Sequence, residues 1–246
     1  MTGQDRVQVW LIRTEQPAAV VLALAETLDE SERRRADLIT TANRRAEFVV
    51  AHGAVRTILG EQLGQPAEAL RWSFGRHGKP ELFEPDTELR CNLSHSGGLA
   101  ALAVAVGRPV GVDVQRRRTA VDLDRMARRY YPASEVALVA VAGNPVERAV
   151  IFTRLWSRKE ACVKAAGGRL IPALGWPASA LPDGTVLVTD PAGQAYRAAD
   201  LPMPTGYHGA AAVTGAAPLR LTSRWWSPAA EPLSPTAPDP MAVQLC

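Results

Sequence analysis

A glutamate and a lysine, Glu160 and Lys164, lie one helical turn apart in residues 151–170, IFTRLWSRKEACVKAAGGRL. Apolar residues recur in this segment at three- and four-residue spacing, which predicts an amphipathic helix that ends at the pair Gly167–Gly168. Side chains four residues apart share a helix face, so we expect the carboxylate, the ammonium and Trp156 along one border of the buried face. Such a pair can serve acid–base or phosphate chemistry. An ordinary surface ion pair, worth about 0.2–0.5 kcal/mol, also explains the spacing.

A second chemical candidate is Asp113, which lies in the apolar segment 110–114, VGVDV. Alternation predicts a strand that places Asp113 and Gln115 on the face opposite Val112 and Val114. A carboxylate in an otherwise buried strand must be paired, hydrogen-bonded or bound to a metal, because burying a bare charge is costly. Capping of a turn is the structural alternative, although aspartate is depleted from strand interiors.

Two further polar stretches, RHGKPEL at 76–82 and CNLSHSGG at 91–98, lie earlier in the chain. Lys79 lies between a glycine and a proline on a predicted loop, where it is solvated or reaches a phosphate. The second stretch is predicted to be a polar loop with little to pack. Within it, His95 is either a capped loop histidine or an anion-binding or catalytic one.

Arginines are concentrated in the segment 30–64, which is predicted to be helical with a break near 40–43. They are Arg33, Arg34, Arg35, Arg44, Arg45 and Arg56. Most are expected to form a solvated helix face. A few arginines directed at one pocket would suit a phosphate, which a guanidinium group binds through two hydrogen bonds.

The composition is that of a globular protein with 246 residues and a net charge of +3. This length suits one large domain or two small ones. The charge is too small to indicate a nucleic-acid-binding protein, and no known nucleic-acid-binding motif is present. Three cysteines without paired spacing predict neither a disulfide framework nor a cysteine metal site. Without a signal-peptide pattern or a long apolar run, we expect a cytoplasmic protein that does not contact a membrane.

The rest of the chain predicts strands and turns. A small-residue strand, a proline turn and an alternating strand occur at 99–114 and again at 209–224. We interpret the first set as a hairpin and the repetition as an indication of a duplicated unit. The proline-rich segment 227–246 is predicted to be a disordered tail.

Taken in order, RHGKPEL, NLSHS, GVDVQ and WSRKEACVKAAGGRL resemble the motifs of the 4′-phosphopantetheinyl transferases of the surfactin-synthetase-activating, Sfp-like type. Each motif alone is weak, but the set is specific and covers residues 30–170. The series Trp156…Lys159-Glu160-Ala161 resembles the subgroup that serves polyketide and non-ribosomal peptide synthetases. The resemblance implies an α+β fold of two similar halves about a pseudo-twofold axis, with coenzyme A in the cleft between them.

These halves are predicted to span residues 1–110, with the coenzyme A phosphate contacts, and 111–226, with the metal and catalytic residues. The resemblance implies a monomeric enzyme that transfers the 4′-phosphopantetheine arm of coenzyme A to a serine of an acyl or peptidyl carrier protein. The product released is 3′,5′-ADP. The carrier would belong to a polyketide, non-ribosomal peptide or fatty-acid synthase, and its acidic recognition helix would suit a basic, partly apolar surface.

The same resemblance assigns roles to individual residues. Asp113 and Glu160 would bind Mg²⁺, with Mn²⁺ as an alternative metal. Glu160, or a water that it orients, would take the proton of the carrier serine, and Lys164 would stabilise the leaving phosphate. The coenzyme A site would be lined by Arg35, Lys79, Ser94, His95 and Lys164. His95 and Arg35 would contact the 3′-phosphate, and a match shifted to Arg34 or Arg33 stays open.

One position departs from the family pattern. Many relatives carry an acid two residues after the aspartate, as a third metal ligand, where this chain has Gln115. An amide oxygen can bind Mg²⁺ or hold a bound water, but it brings no charge. The alternative function is a coenzyme A-binding regulatory protein without transferase activity. Retention of Asp113, Glu160 and Lys164 argues against it.

Overall fold

The computed structural model describes residues 5–75, 80–83, 87–117, 122–168 and 170–228. Helices and strands are mixed along the chain, so the predicted α+β class is confirmed. The elements in chain order are β1 (Arg6–Arg13), α1 (Ala18–Thr27), α2 (Glu30–Asp37), α3 (Ala42–Leu63), β2 (Trp72–Phe74), β3 (Pro80–Leu82), β4 (Leu89–Ser96), β5 (Leu99–Val106), β6 (Val110–Arg116), α4 (Leu123–Tyr130), α5 (Ala133–Ala140), α6 (Pro145–Ala166), α7 (Leu170–Ala173), β7 (Ala178–Ala180), β8 (Val186–Thr189), β9 (Ala195–Asp200), β10 (Tyr207–Thr214) and β11 (Arg220–Trp225).

Two main sheets form the centre of the fold. Their strand orders are β11-β1-β5-β4 and β6-β10-β9-β8-β7. Helices α1 and α3 pack on the outer face of the first sheet, and the inner faces of the two sheets pack together. Helix α6 covers the outer face of the second sheet. Strand β5, LAALAVAV, is therefore buried on both faces, which explains its small apolar residues.

Both long helices end as the sequence predicts. Helices α3 and α6 each have 22 residues, and each is followed by a glycine, Gly64 and Gly167, with a left-handed φ of 65°. A residue with a Cβ is disfavoured in that conformation. The predicted break near 40–43 also lies between α2 and α3. In the part of the chain that the structure describes, no helix is long and apolar enough to cross a membrane.

The segment 91–98 is not the polar loop that the sequence predicts. Most of it belongs to strand β4, whose side chains Asn92, Ser94 and Ser96 accept hydrogen bonds from the backbone of β6. The donors are the amides of residues 112, 114 and 116, at 2.9, 3.2 and 3.1 Å. Polar residues at every second position of β4 thus join the edges of the two sheets.

The predicted hairpin at 99–114 is also wrong. Strand β5 pairs with β1 and β4, whereas β6 pairs with β10 in the other sheet. The two strands of the second repeat also belong to different sheets. Strand β10 lies in the second sheet, and β11 pairs in parallel with β1 in the first. Each proline turn therefore carries the chain from one sheet to the other. The pseudo-twofold axis and the boundaries 1–110 and 111–226 stay predictions. Residues 229–246 of the predicted tail lie outside the described residues.

Candidate active site

The site is built where helix α6 touches strand β6. Gly111 allows this contact, because a Cβ added there would overlap the carbonyl oxygen of Ala161 and the amide nitrogen of Ala165. Alternation along β6 puts Asp113 on the same face as Gly111, toward α6. The close approach of the two backbones therefore places Asp113 beside the helix that carries Glu160 and Lys164.

Lys164 connects the predicted catalytic and binding residues. Its Nζ lies 2.8 Å from Asp113 Oδ1, 2.9 Å from Ser94 Oγ and 3.5 Å from Glu160 Oε1. The structure therefore brings together side chains from β4, β6 and α6 that are separated by up to 70 residues in the sequence. Charge-assisted hydrogen bonds of this kind are stronger than neutral ones and fix the ammonium against the carboxylates.

Asp113 is fully buried, and its two oxygens differ. Oδ1 accepts hydrogen bonds from Lys164 and from the Ser94 hydroxyl at 3.1 Å. Oδ2 is buried without a hydrogen-bond partner among the described residues. A buried carboxylate oxygen without a donor is costly. It is therefore a suitable ligand for a hard cation such as Mg²⁺.

Glu160 is oriented by a tryptophan one turn earlier. The indole Nε1 of Trp156 donates to Glu160 Oε2 at 2.8 Å. Burial and the charge of Asp113 raise the pKa of Glu160, and Lys164 and Trp156 offset only part of this effect. A carboxylate whose pKa is raised by burial and by a neighbouring carboxylate is typical of functional sites, and a bound cation favours its ionised form.

The donor set fits Mg²⁺ with two protein carboxylates. No group of three or more histidine, cysteine, aspartate or glutamate side chains that could hold a metal occurs within the described ranges. Mg²⁺ commonly takes only one or two carboxylates and completes its shell with water and substrate phosphates. Gln115 lies beside the pair, since its Nε2 is 3.4 Å from Asp113 Oδ1. The structure thus brings Gln115 to the site without a third acid.

Two cavities of about 680 and 280 Å³ lie between α2, α3 and β4. Arg35 and His95, the predicted phosphate contacts, line both of them. The neighbouring arginines are engaged elsewhere, because Arg33 donates to the carbonyl of Glu26 and Arg34 pairs with Glu30. This arrangement favours Arg35 among the three candidates. Lys79, the remaining predicted contact, lies outside the described residues.

The imidazole of His95 lies in a cationic environment. Desolvation, followed by the charges of His52 and Lys164, lowers its pKa below the ordinary value, and Glu47 offsets only part of this shift. Repulsion between like charges is relieved when an anion binds among them. The electrostatics around His95 therefore suit a phosphate ligand.

Sequence reasoning missed two buried charged groups that support the site. Arg56 is fully buried and binds Asp29, Glu32 and the carbonyls of Ala67 and Leu70, so it is a structural residue. The spacing of Arg56 from the other arginines does not indicate this structural role.

Lys159 is the second buried charged group. It is fully buried, lies 3.0 Å from Glu135 Oε2 and donates to the carbonyl of Trp176. Burial raises the pKa of Glu135 and lowers that of Lys159, while their mutual attraction opposes both shifts. The neighbouring residues Lys159 and Glu160 thus have different surroundings: the first ties α6 to α5, and the second faces the site.

A third depression, beside the carboxylate pair, has a volume of about 270 Å³. It is lined by Gln115, Arg116, Leu123, Met126, Phe152, Thr153 and Trp156. Because Gln115 and Trp156 contact Asp113 and Glu160, this groove opens directly onto the predicted catalytic residues. Its lining is mostly apolar, with Gln115, Thr153 and one arginine as the polar side chains.

Comparisons with known proteins show which family this chain resembles. Residues 109–208 match the 4′-phosphopantetheinyl transferase superfamily, and this segment contains Asp113, Glu160 and Lys164. The chain is 34% identical over 165 residues to the 4′-phosphopantetheinyl transferase HetI of Nostoc sp., which covers 66% of this chain and 69% of that protein. It is 30% identical over 158 residues to a 4′-phosphopantetheinyl transferase of Bacillus subtilis. That match covers 59% of this chain and 67% of the Bacillus protein.

A third relative, the 4′-phosphopantetheinyl transferase AcpT of Escherichia coli strain K12, is 35% identical over 115 residues, which are 47% of this chain and 56% of that protein. The matched family and these relatives are transferases. The chain belongs to the 4′-phosphopantetheinyl transferase superfamily. The subgroup that serves polyketide and non-ribosomal peptide synthetases stays a prediction.

Proposed function

We propose that the protein transfers the 4′-phosphopantetheine arm of coenzyme A to a serine hydroxyl of an acyl or peptidyl carrier protein and releases 3′,5′-ADP. The observation that carries this proposal is the contact of Lys164 with Asp113, Ser94 and Glu160 where α6 meets β6. Family membership supports the same reaction, and no comparison favours the coenzyme A-binding regulatory alternative.

In this proposal Asp113 and Glu160 hold Mg²⁺, or Mn²⁺, and Gln115 assists through its amide oxygen or through a water. When bound, the metal would neutralise charge on the diphosphate of coenzyme A. The buried Asp113 Oδ2, which has no hydrogen-bond donor among the described residues, supports this assignment. Arg35, His95 and Lys79 would hold the phosphates on the nucleotide side of the site, and Ser94 would fix Lys164.

Proton transfer follows from the positions of Glu160 and Lys164. The serine oxygen attacks the β-phosphorus, its proton passes to Glu160 directly or through an ordered water, and the bond to the α-phosphate oxygen breaks. The hydrogen bond from Trp156 holds the Glu160 carboxylate in one orientation during this step. Lys164 keeps a positive charge near the departing phosphate, where negative charge develops.

The groove lined by Leu123, Met126 and Phe152 would receive the part of the carrier next to its serine. Arg116 in its lining suits the acidic recognition helix that carrier proteins present. We propose polyketide, non-ribosomal peptide and fatty-acid carriers as the class to test. From the sequence pattern we also propose a cytoplasmic location, to be checked by cell fractionation. From the family resemblance we propose a monomeric state, to be checked by analytical ultracentrifugation.

Mass spectrometry of the carrier tests the reaction directly. An apo carrier incubated with the protein, coenzyme A and Mg²⁺ should gain about 340 Da, the mass of the phosphopantetheine arm. The gain should disappear with Glu160→Gln and persist with Arg34→Gln, an exposed arginine that pairs with Glu30. Coenzyme A binding without any mass gain, across carriers of all three classes, would contradict the transferase proposal.

A further inference from the structure

A groove with three tryptophans lies outside the candidate active site. It has a volume of about 300 Å³ and is formed by the C-terminal half of α3, by β1 and by the end of β11. Trp10, Trp225 and Trp226 line this tryptophan groove. It shares no lining residue with the groove beside the carboxylate pair or with the two cavities between α2, α3 and β4. A partly exposed aromatic surface of this kind commonly marks a binding site for another ligand.

The rings of the tryptophan groove are held in place without being fully covered. Trp225 is 43% exposed, and the amide of the partly buried Trp226 donates to a backbone carbonyl of β1 at 2.9 Å. The guanidinium carbon of Arg224 lies 4.8 Å from the centre of the Trp10 ring. That of Arg13 lies 4.5 Å from the centre of the Trp225 ring. Because these contacts restrict the rings, little conformational freedom is lost when a ligand packs on them.

Aromatic rings along a groove favour an extended, proline-rich ligand. A polyproline II helix has no internal hydrogen bonds and is already ordered, so its binding to such a groove costs little entropy. Its carbonyl groups can also accept hydrogen bonds from indole N–H groups. One turn of this helix is about 9 Å long. The helical turn of α3 that forms one wall, residues 58–62, rises about 6 Å. The groove therefore suits about one turn of a polyproline II helix.

The chain itself contains a segment with this pattern. In EPLSPTAPDP, residues 231–240, prolines occur at every third position as Pro232, Pro235 and Pro238. A polyproline II helix has three residues per turn, so prolines with this spacing lie along one edge of the helix. The sequence therefore predicts a row of prolines that can pack against aromatic rings.

The segment follows directly on the groove in the chain. Ser227 lines the tryptophan groove, and four residues separate it from Pro232. The five residue steps between them span at most about 18 Å, which is enough for the chain to turn back over the rings. A ligand tethered this closely has an effective concentration on the order of 1 mM. Binding within one chain is therefore favoured over binding of the same segment from another molecule.

The charges of the groove and of the segment are complementary in part. Arg224 is the exposed basic group of the lining, and Glu61 on α3 is its acidic group. Glu231 and Asp239 are the only charged side chains in residues 228–246. Glu231 immediately precedes the first proline of the series, so it can reach Arg224 when that proline lies in the groove.

We propose that residues 231–238 bind the tryptophan groove of their own chain as a polyproline II helix. Pro232 and Pro235 pack on the rings of Trp225 and Trp226, and Glu231 pairs with Arg224. The bound segment covers the exposed part of the Trp225 ring. This inference is independent of the proposed function, because the groove contains none of the residues assigned to coenzyme A, to the metal or to the carrier.

Nuclear magnetic resonance of the full chain tests the proposal through the indole N–H signals. The chain has six tryptophans, and Trp225→Phe and Trp226→Phe assign two of the six signals. The triple variant Pro232→Ala/Pro235→Ala/Pro238→Ala should shift these two signals, because the rings lose their ligand. Signals of tryptophans outside the groove should stay in place. The substitutions lie outside the described helices and strands, so the fold is retained.

A peptide of residues 229–246 provides the second measurement. Added to the triple variant, it should return the two indole signals to their wild-type positions. Half-saturation should occur below about 1 mM, because only such an affinity keeps the tethered segment mostly bound at its effective concentration. The peptide with alanine at all three proline positions is the matched control and should not bind. A peptide with Glu231→Gln should bind about two- to fivefold more weakly, as expected for the loss of an exposed ion pair.

Three results would overturn the inference. The first is a triple variant whose signals for Trp225 and Trp226 equal those of the wild type. The second is equal binding of the proline and alanine peptides, which would exclude recognition of a polyproline II helix. The third is a shift of the wild-type signals on tenfold dilution, which would show that a second copy fills the groove. The triple variant should keep the wild-type kcat, so a failed transfer assay with the wild type affects only the proposed function.

Discussion

The ammonium of Lys164 lies 2.8 Å from the carboxylate of Asp113, so a helix and a strand of the second half of the chain are joined by a charge pair at the site. Asp113 is fully buried, whereas the Lys164 side chain keeps 23% of its exposure. The lysine therefore supplies the main positive charge for a carboxylate that water does not reach. The same ammonium is also close enough to the surface to meet a ligand.

Replacing Lys164 tests both roles. We expect Lys164→Gln to lower kcat about 10²- to 10³-fold, since one preorganised charge at a developing anion is typically worth that much. Lys164→Arg should retain part of the rate, because it keeps the charge but changes the geometry of the donor. Transfer rates at saturating coenzyme A, with circular dichroism as the check on folding, measure the effect. A folded Lys164→Gln with wild-type kcat would remove Lys164 from the reaction.

Gly111→Ala should separate α6 from β6. The added Cβ would overlap backbone atoms of Ala161 and Ala165, which cannot move aside as a side chain can. We expect a loss of about 1–3 kcal/mol in the free energy of unfolding, together with a lower kcat because Glu160 and Lys164 move away from Asp113. Gly168→Ala is the matched control, since its nearest neighbour is Val163 Cγ1 at 3.9 Å. Equal urea midpoints for the two variants would contradict the proposed contact.

The predicted catalytic side chains could be selected from the sequence because their signals are local. Glu160 and Lys164 follow helical spacing, and Asp113 interrupts a run of valines. The same alternation correctly placed Asp113 and Gln115 on the face of β6 that turns toward α6. However, a local sequence pattern says little about which other elements of the fold a side chain contacts. Residues 91–98 are predicted as a loop because they are polar, and only the fold shows that their side chains bind the backbone of another strand.

Two other features needed the three-dimensional structure for similar reasons. A proline turn between two strands predicts a hairpin only when the strands have no other partners, and β5 and β6 are each paired elsewhere. His52 lies in the middle of helix α3, and the spacing of its neighbours does not indicate that it lines a cavity. Its place becomes visible only where α2, α3 and β4 enclose the same cavities.

The hydrogen bonds between the sheets predict a stability effect at Asn92. Asn92→Ala would leave the amide of Val112 without its acceptor, and an unsatisfied buried donor costs about 1–3 kcal/mol. Ser96→Ala should cost less, because the hydrogen bond that it removes, from the amide of Arg116, is exposed to water. Urea unfolding of the two variants measures the difference. A larger loss for Ser96→Ala than for Asn92→Ala would contradict this account of the hydrogen bonds between β4 and β6.

The buried Glu32 predicts a pH dependence of stability with a definite sign. Its pKa in the folded protein lies below its ordinary value of 4.5, so the stability that it contributes is present above pH 4.5 and is lost as the pH falls through the folded-state pKa. The difference in the free energy of unfolding between wild type and Glu32→Gln should therefore be largest at pH 6 and shrink toward pH 4. Urea titrations at pH 6, 5 and 4 measure it, with Glu30→Gln as an exposed control. A difference that grows on acidification would reverse the sign assigned to this carboxylate.

The position of Gln115 leads to a prediction about the Mg²⁺ concentration that the enzyme needs. Its amide lies 3.4 Å from Asp113 Oδ1, where an acid would add a negative charge beside the two carboxylates. If Asp113 and Glu160 hold Mg²⁺, Gln115→Glu should lower the Mg²⁺ concentration at half-maximal rate several-fold, because a third carboxylate increases the attraction for a hard cation. Gln115→Leu should raise that concentration if the amide, or a water that it holds, contributes to the metal shell. Rates measured across a Mg²⁺ titration, and again with Mn²⁺, give both constants. Unchanged half-saturating Mg²⁺ in both variants would place Gln115 outside the metal shell and leave Asp113 and Glu160 as the protein's whole contribution.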